Sequence, residues 1–150
     1  DPEKLRQKQE DAKNKYFEST KRKIDTLVNR DTLKWSVTTS RRVQSDRESM
    51  QLNNFAYDIY KMSNDTSILQ SAIAWSQRSM DLWKANFPGS NLENPAYLDT
   101  YAHLLYKMGR KDEAITWLEK AVEVQNKFKM PILDSDIKKN LELMKAGKIY

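Results

Sequence analysis

The sequence has no cysteine, one histidine, three glycines and four prolines in 150 residues. Without cysteine there is no disulfide and no thiolate metal site, and His103 alone cannot form a Cys/His nucleophile pair or a Cys/His metal cluster. Glycine-rich phosphate loops and the GxSxG and HExxH patterns are also absent. We therefore expect a protein that is not an enzyme and carries no cofactor or metal.

The scarcity of glycine and proline, with no regularly spaced strand pattern, predicts an all-α fold. The length fits one domain or a compact pair, and no apolar run approaches the ~20 residues that a membrane span needs. Because the sequence starts at Asp1 rather than at a methionine, the removal of an upstream segment stays open. The N-terminus therefore does not predict a cellular compartment.

Two consecutive helices are predicted between Asn94 and Phe128. Asn94 is a good N-cap, Pro95 fits the first helical position, and Gly109 suits the left-handed residue that ends a helix. Apolar residues recur at helical spacing in both halves. They are Leu98, Tyr101, Ala102 and Leu105 in the first helix, and Ala114, Ile115, Leu118, Ala121 and Val122 in the second.

This stretch resembles the tetratricopeptide repeat (TPR), a 34-residue helix-turn-helix unit. Counted from Pro95, the small residues that the family has at its eighth, twentieth and twenty-seventh positions are Ala102, Ala114 and Ala121. The chain departs from the family where Tyr101 replaces the usual leucine and Asn126 replaces proline. A degenerate second copy precedes it, with a longer turn over residues 63–67. Its matching positions are Leu52, Phe55, Ala56, Ile59, Ala72 and Ser79.

The resemblance implies a TPR-like α-α superhelix of two to three helix pairs. Its repeats would span about 50–82 and 95–128, and a capping helix over 135–146 would end at Gly147. The helices of the first copy are predicted to end near Met62 and to run from Thr66 to about Asn86. We expect the tryptophans of the second helices to pack between helices, whereas the pattern leaves Trp35 undetermined. Those tryptophans are Trp75, Trp83 and Trp117.

The N-terminal third carries the whole net charge of the chain. Residues 1–45 contain twelve Lys or Arg against seven Asp or Glu, whereas residues 46–150 contain fourteen of each. A sparse apolar stripe predicts a long helix from about Glu3 to Asn29, and Asp31 can cap a second helix. Ser45 and Glu48 form a capping box that would start the next helix. We expect residues 1–45 to form basic helices that pack on an array spanning 46–150.

In a superhelix of this kind, the first helix of each pair lines the concave face. The repeat register aligns Tyr57 with His103, Tyr60 with Tyr106 and Lys61 with Lys107, which gives a polar and aromatic surface suited to an extended peptide. In family members that bind a C-terminal carboxylate, asparagine and lysine form the clamp, but that basic set is incomplete here. The predicted groove residues are Asn53, Tyr57, Tyr60, Lys61, Asp99, His103, Tyr106 and Lys107.

These patterns predict a protein–protein interaction module that binds a peptide or partner protein, or that forms a homo-oligomer. The segment from Leu98 to Gln125 is also similar to repeat regions of exported Bacteroidetes proteins of the thioredoxin-associated kind. That similarity implies a periplasmic location and leaves open a purely structural accessory domain of a larger protein.

A basic nucleic-acid-binding domain is the remaining alternative. Lys21, Arg22 and Lys23 form one basic cluster and Arg41 and Arg42 another. Acidic residues interrupt the basic stripe at helical spacing and no nucleic-acid motif accompanies it, which disfavours this alternative.

Overall fold

The computed structural model describes residues 2–30, 40–87, 93–128 and 134–149. All regular secondary structure in these ranges is helical, which confirms the all-α fold class. The helices are α1 (Pro2–Arg30), α2 (Ser40–Met62), α3 (Thr66–Asn86), α4 (Pro95–Lys107), α5 (Lys111–Phe128) and α6 (Asp134–Lys145). None of them is long and apolar enough to cross a membrane.

The α4–α5 hairpin begins and turns at the predicted residues. The side chain of Asn94 accepts a hydrogen bond from the backbone N–H of Ala96 at 3.0 Å, and Pro95 is the first helical residue. Gly109 has a φ of 81°, and the N–H of Arg110 donates to the carbonyl of Leu105 at 3.0 Å. This is the Schellman pattern that ends a helix at a left-handed glycine.

The α2–α3 hairpin agrees with the prediction at its turn but not at its start. Asp65 caps α3 by accepting a hydrogen bond from the N–H of Ile68 at 3.0 Å. However, α2 begins at Ser40, so the predicted start at Ser45 is wrong. A capping-box sequence is a local pattern that also occurs within a continuous helix, as it does here. The helix predicted to follow Asp31 lies largely in residues 31–39, outside the described residues.

The fold is centred on α4. Ten of its thirteen residues are buried, because it contacts α2, α3 and α5. The small residues of both predicted copies are fully buried, which lets neighbouring helix backbones approach closely. These residues are Ala56, Ala72, Ser79, Ala102, Ala114 and Ala121.

Three of the four tryptophans pack against aromatic rings, as predicted for the second helices. Trp83 makes an edge contact with Tyr97 of α4, with ring centroids 5.7 Å apart. Trp117 of α5 makes an edge contact with Tyr101, with centroids 5.1 Å apart. Trp75 of α3 stacks on Phe17 of α1. Trp35 lies outside the described residues.

The contacts that the structure describes between α1 and the other helices involve its second half. Phe17 stacks on Trp75 with centroids 6.1 Å apart, and Thr20 and Ile24 are buried. The hydroxyl of Tyr16 donates to Asp58 of α2 at 3.2 Å. Before Tyr16, every residue whose side chain is described is exposed.

The last helix, α6, covers the end of the α4–α5 hairpin. Its Ile137 and Met144 are buried, and Lys145 forms a 2.6 Å ion pair with Glu119 of α5. Gly147 follows the helix with a φ of 65°, which is the left-handed conformation predicted for it.

Candidate functional site

An exposed line of side chains runs along α2. Met50 and Tyr57 are seven residues apart on one face of the helix, and they are 51% and 38% exposed. Lys61 continues the line, with its Nζ 4.6 Å from the centroid of the Tyr57 ring. The same Nζ lies 3.3 Å from Asp58. We refer to Met50, Tyr57 and Lys61 as the α2 line.

Tyr60 connects the α2 line to α4. Its ring centroid lies 5.7 Å from that of Tyr57 and 5.1 Å from that of His103, the latter in an edge contact. Lys107 of α4 reaches over the Tyr60 ring and donates from Nζ to the backbone carbonyl of Tyr60 at 2.5 Å. Three aromatic rings and two lysines therefore form one connected cluster across α2 and α4, in which the His103 ring is buried.

Lys107 stabilises the end of α2. The carbonyls in the last turn of a helix have no intrahelical donor and carry partial negative charge. The Lys107 ammonium supplies a donor and a positive charge to the carbonyl of Tyr60. Burial lowers the pKa of Lys107, because the charged form loses hydration. This lysine therefore joins two helices as well as bordering the candidate site.

His103 and Asp99 form a buried pair on one turn of α4. The His103 Nδ1 lies 2.8 Å from the carbonyl oxygen of Asp99 and 3.3 Å from its carboxylate Oδ1. Since a carbonyl oxygen only accepts, Nδ1 carries a hydrogen. The Oδ1 atom makes no aligned hydrogen bond with a described residue, but it places the carboxylate charge beside the ring nitrogen.

The pKa of His103 is set by opposing effects. Burial of the ring lowers this pKa, because the imidazolium loses hydration. The Asp99 carboxylate and carbonyl favour the protonated ring, and together they raise the pKa above its ordinary value. The carboxylate and the carbonyl of Asp99 together thus outweigh the cost of burial.

The eight predicted groove residues differ widely in accessibility. Tyr57 and Lys61 are exposed, Tyr60, Asp99 and Lys107 are half-buried, and Asn53, His103 and Tyr106 are buried. Six of them are connected by the ring contacts, cation contacts and hydrogen bonds described above. Those six are Tyr57, Tyr60, Lys61, Asp99, His103 and Lys107.

Tyr106 does not line an open face, contrary to the prediction. Its hydroxyl donates to the carbonyl of Met144 in α6 at 3.3 Å, and Lys111 reaches over its ring. The repeat register placed Tyr106 beside Tyr60, but the packing of α6 covers this part of α4. Register alone does not reveal which stretch of a helix a distant segment covers.

Asn53 also lies below the surface rather than on it. The side chain is 7% exposed, and its Oδ1 has no hydrogen-bond partner. The resemblance to tetratricopeptide repeats aligned Asn53 with an asparagine that binds a carboxylate in some proteins of that family. In this arrangement, a ligand would have to move neighbouring side chains to reach it.

No protein-family model, curated protein or solved structure matches the chain.

Two residues of the surface were missed by sequence reasoning. Met50 extends the α2 line at its N-terminal end, and Asp58 holds both Lys61 and the hydroxyl of Tyr16. The seven-residue spacing from Met50 to Tyr57 was a usable signal for a shared face. The role of Asp58 was not readable, since it depends on where α1 packs.

The titratable groups of this surface offer no obvious metal site. Among the described residues, no group of three or more His, Cys, Asp or Glu side chains is arranged to hold a metal ion. The surface presents exposed apolar and aromatic area, at Met50 and Tyr57, beside Lys61.

Proposed function

We propose that the chain is a non-catalytic, TPR-like protein-interaction module that binds a peptide or an extended segment of a partner protein along the α2 line. The observation that carries the proposal is the exposed Tyr57 ring with Lys61 above it, set beside the half-buried Tyr60. Tyrosine rings offer large contact area at low entropic cost, and methionine adapts to varied partners.

The dimensions of the α2 line suit a short extended segment. From Met50 to Lys61 the helix advances about 16 Å, which an extended peptide spans with about five residues. The half-buried Tyr60 and Lys107 and the buried His103 hold the base of this surface in place through contacts between α2 and α4. Such a rigid base lowers the entropic cost of binding.

The proposal is tested by selecting peptides from a random display library against the full chain. Selected peptides should bind the wild type with micromolar affinity. They should bind at least about tenfold more weakly to the triple variant Met50→Ala, Tyr57→Ala, Lys61→Ala, because the contact area is removed. The binding is measured by isothermal titration calorimetry.

A matched control removes similar side chains away from the α2 line. Met62 is 36% exposed on another face of α2, and Lys111 lies at the start of α5. The double variant Met62→Ala, Lys111→Ala should bind the selected peptides like the wild type. Equal losses in both variants, or no selectable peptide, would overturn the proposal, and the absence of any peptide would favour a purely structural module.

A further inference from the structure

The side chains that the structure describes in the first half of α1 are exposed. Phe17, Thr20 and Ile24 face α2 and α3, whereas Glu3, Lys4 and all of residues 6–15 are exposed. At 1.5 Å per residue this segment is about 20 Å long. A helical segment of this length is marginally stable in water without tertiary contacts. A bound partner would therefore stabilise it.

The charged residues of this segment are segregated around the helix. At about 100° per residue, Gln9, Ala12 and Tyr16 share one line. Basic residues flank the line on both sides, whereas the acidic residues occupy the opposite face. The flanking bases are Arg6 and Lys13 on one side and Lys8 and Lys15 on the other, and the acidic residues are Glu3, Glu10 and Asp11.

This line is distinct from the face of α1 that packs on the protein. It lies about 80° around the helix from the Phe17–Ile24 face. Tyr16 stands where the two meet, since its hydroxyl bonds to Asp58 while the residue remains 39% exposed. Arg6 and Lys13 point in the direction of the packed face, but they precede Phe17 along the helix and are exposed. The line and both its flanks are therefore still available after α1 has packed.

We propose that the segment Glu3–Tyr16 docks an acidic amphipathic helix of a partner protein. A narrow line with charges on both flanks is the arrangement of one helix of a coiled coil, in which the flanking charges select the partner. Four basic flanking residues select carboxylates on both sides of the incoming helix. This surface lies on α1, so the proposal goes beyond peptide binding on the α2 line.

The same features disfavour three other occupants. A second copy of α1 would bring basic flanks against basic flanks. A lipid surface requires a broad face of bulky apolar residues, whereas this line contains Ala12 and Gln9. A nucleic acid would bind to the basic flanks through its phosphates but would not need the uncharged residues of the line.

One existing ion pair does not obstruct the docking. Lys13 Nζ lies 3.8 Å from the Glu10 carboxylate, and both side chains are more than half exposed. An exposed pair of this kind contributes little stability. Lys13 can therefore exchange Glu10 for a carboxylate on the incoming helix.

The test uses the full chain and two synthetic helical peptides, each three heptads long with leucine at the a and d positions. One peptide has glutamate at all e and g positions and the other has lysine there. Fluorescence anisotropy of the labelled peptides should show saturable binding of the glutamate peptide only. The affinity should fall as NaCl is raised, because the pairing depends on charge.

Reversing the flanking charges should reverse the preference. The variant Arg6→Glu, Lys8→Glu, Lys13→Glu, Lys15→Glu should lose at least about tenfold in affinity for the glutamate peptide and should gain binding of the lysine peptide. A control with the same charge change elsewhere, Lys21→Glu, Lys127→Glu, Lys139→Glu, Lys148→Glu, should keep its affinity within about twofold. Circular dichroism and thermal unfolding show whether both variants are folded.

Three results would overturn the proposal. Failure of the glutamate peptide to bind the wild type excludes the docking surface. Equal losses of affinity in the two variants would show that the net charge alone attracts the glutamate peptide. Binding of phosphatidylserine vesicles or of an unrelated oligonucleotide, lost only in the flank variant, would assign the segment to a lipid or a nucleic acid instead. A failure of the α2-line variants leaves this proposal standing, since no residue is shared.

Discussion

At the residue scale, two lysine–tyrosine pairs on neighbouring helices have different roles. Lys61 lies over the exposed Tyr57 ring on α2, where both side chains remain available to a partner. Lys107 lies over Tyr60 and also bonds to its carbonyl, so it holds α2 and α4 together. The repeat register predicted that Lys61 and Lys107 occupy equivalent positions in the two repeats. It could not predict the difference, which arises from the burial of α4 between its neighbours.

The titration of His103 reports on the contact between α2 and α4. Because its folded-state pKa is raised, its contribution to stability is fully present below the unfolded-state pKa of about 6.5 and is lost as pH rises through the folded-state pKa. It is the only histidine in the sequence, so its NMR titration needs no assignment. We expect a midpoint above 6.5 in the wild type.

The variant Asp99→Asn tests the cause of that shift. With the carboxylate charge removed, burial should prevail and the midpoint should fall below 6.5. The pH dependence of the free energy of unfolding should then reverse its sign in this range. A midpoint that stays above 6.5 in Asp99→Asn would show that the carboxylate is not responsible.

At the element scale, the sequence predicted best where a single residue determines the backbone. Asn94, Pro95 and Gly109 fix the limits of α4, and each lies where its local chemistry requires it. The start of α2 was missed, because a capping-box pattern does not indicate whether the preceding residues are already helical. Local signals therefore located turns more reliably than they located the beginning of a long helix.

The α4–α5 turn gives a direct test of this argument. Gly109→Ala should lower the free energy of unfolding by about 1–2 kcal/mol, because an L-residue is disfavoured at a φ of 81°. An added Cβ would meet no atom within 4 Å, so the cost comes from the backbone alone. Urea unfolding measures the change. Gly109→Asn should cost less, since asparagine tolerates this conformation, and equal costs would contradict the account.

At the scale of the whole molecule, the sequence did not predict which helix packs over which residues of another helix. Register and periodicity identified the helices and the small buried residues, among them Ala56 and Ala102. Whether Tyr106 is open depends on α6, and the role of Asp58 depends on α1. These contacts join distant parts of the chain, so no local pattern encodes them.

The described contacts predict a gradient of local stability across the molecule. Amide hydrogens of α4 should exchange slowest, because that helix is buried on nearly all sides. Amides in residues 3–15 of α1 should exchange fastest among the described helical residues, because every described side chain in this segment is exposed. Hydrogen exchange followed by mass spectrometry measures both. Protection of residues 3–15 comparable to that of α4 in the isolated chain would contradict the arrangement.

The central claim is that a partner segment lies along the α2 line. The most direct measurement places a photo-crosslinking amino acid at Tyr57 in the purified full chain and exposes it to extract of the source organism. The same group at Met62 serves as the matched position, since both residues lie on α2 with similar exposure. The account predicts one discrete adduct from position 57 that free selected peptide competes away, and none from position 62. An absent adduct at position 57, or the same adducts from both positions, would contradict it.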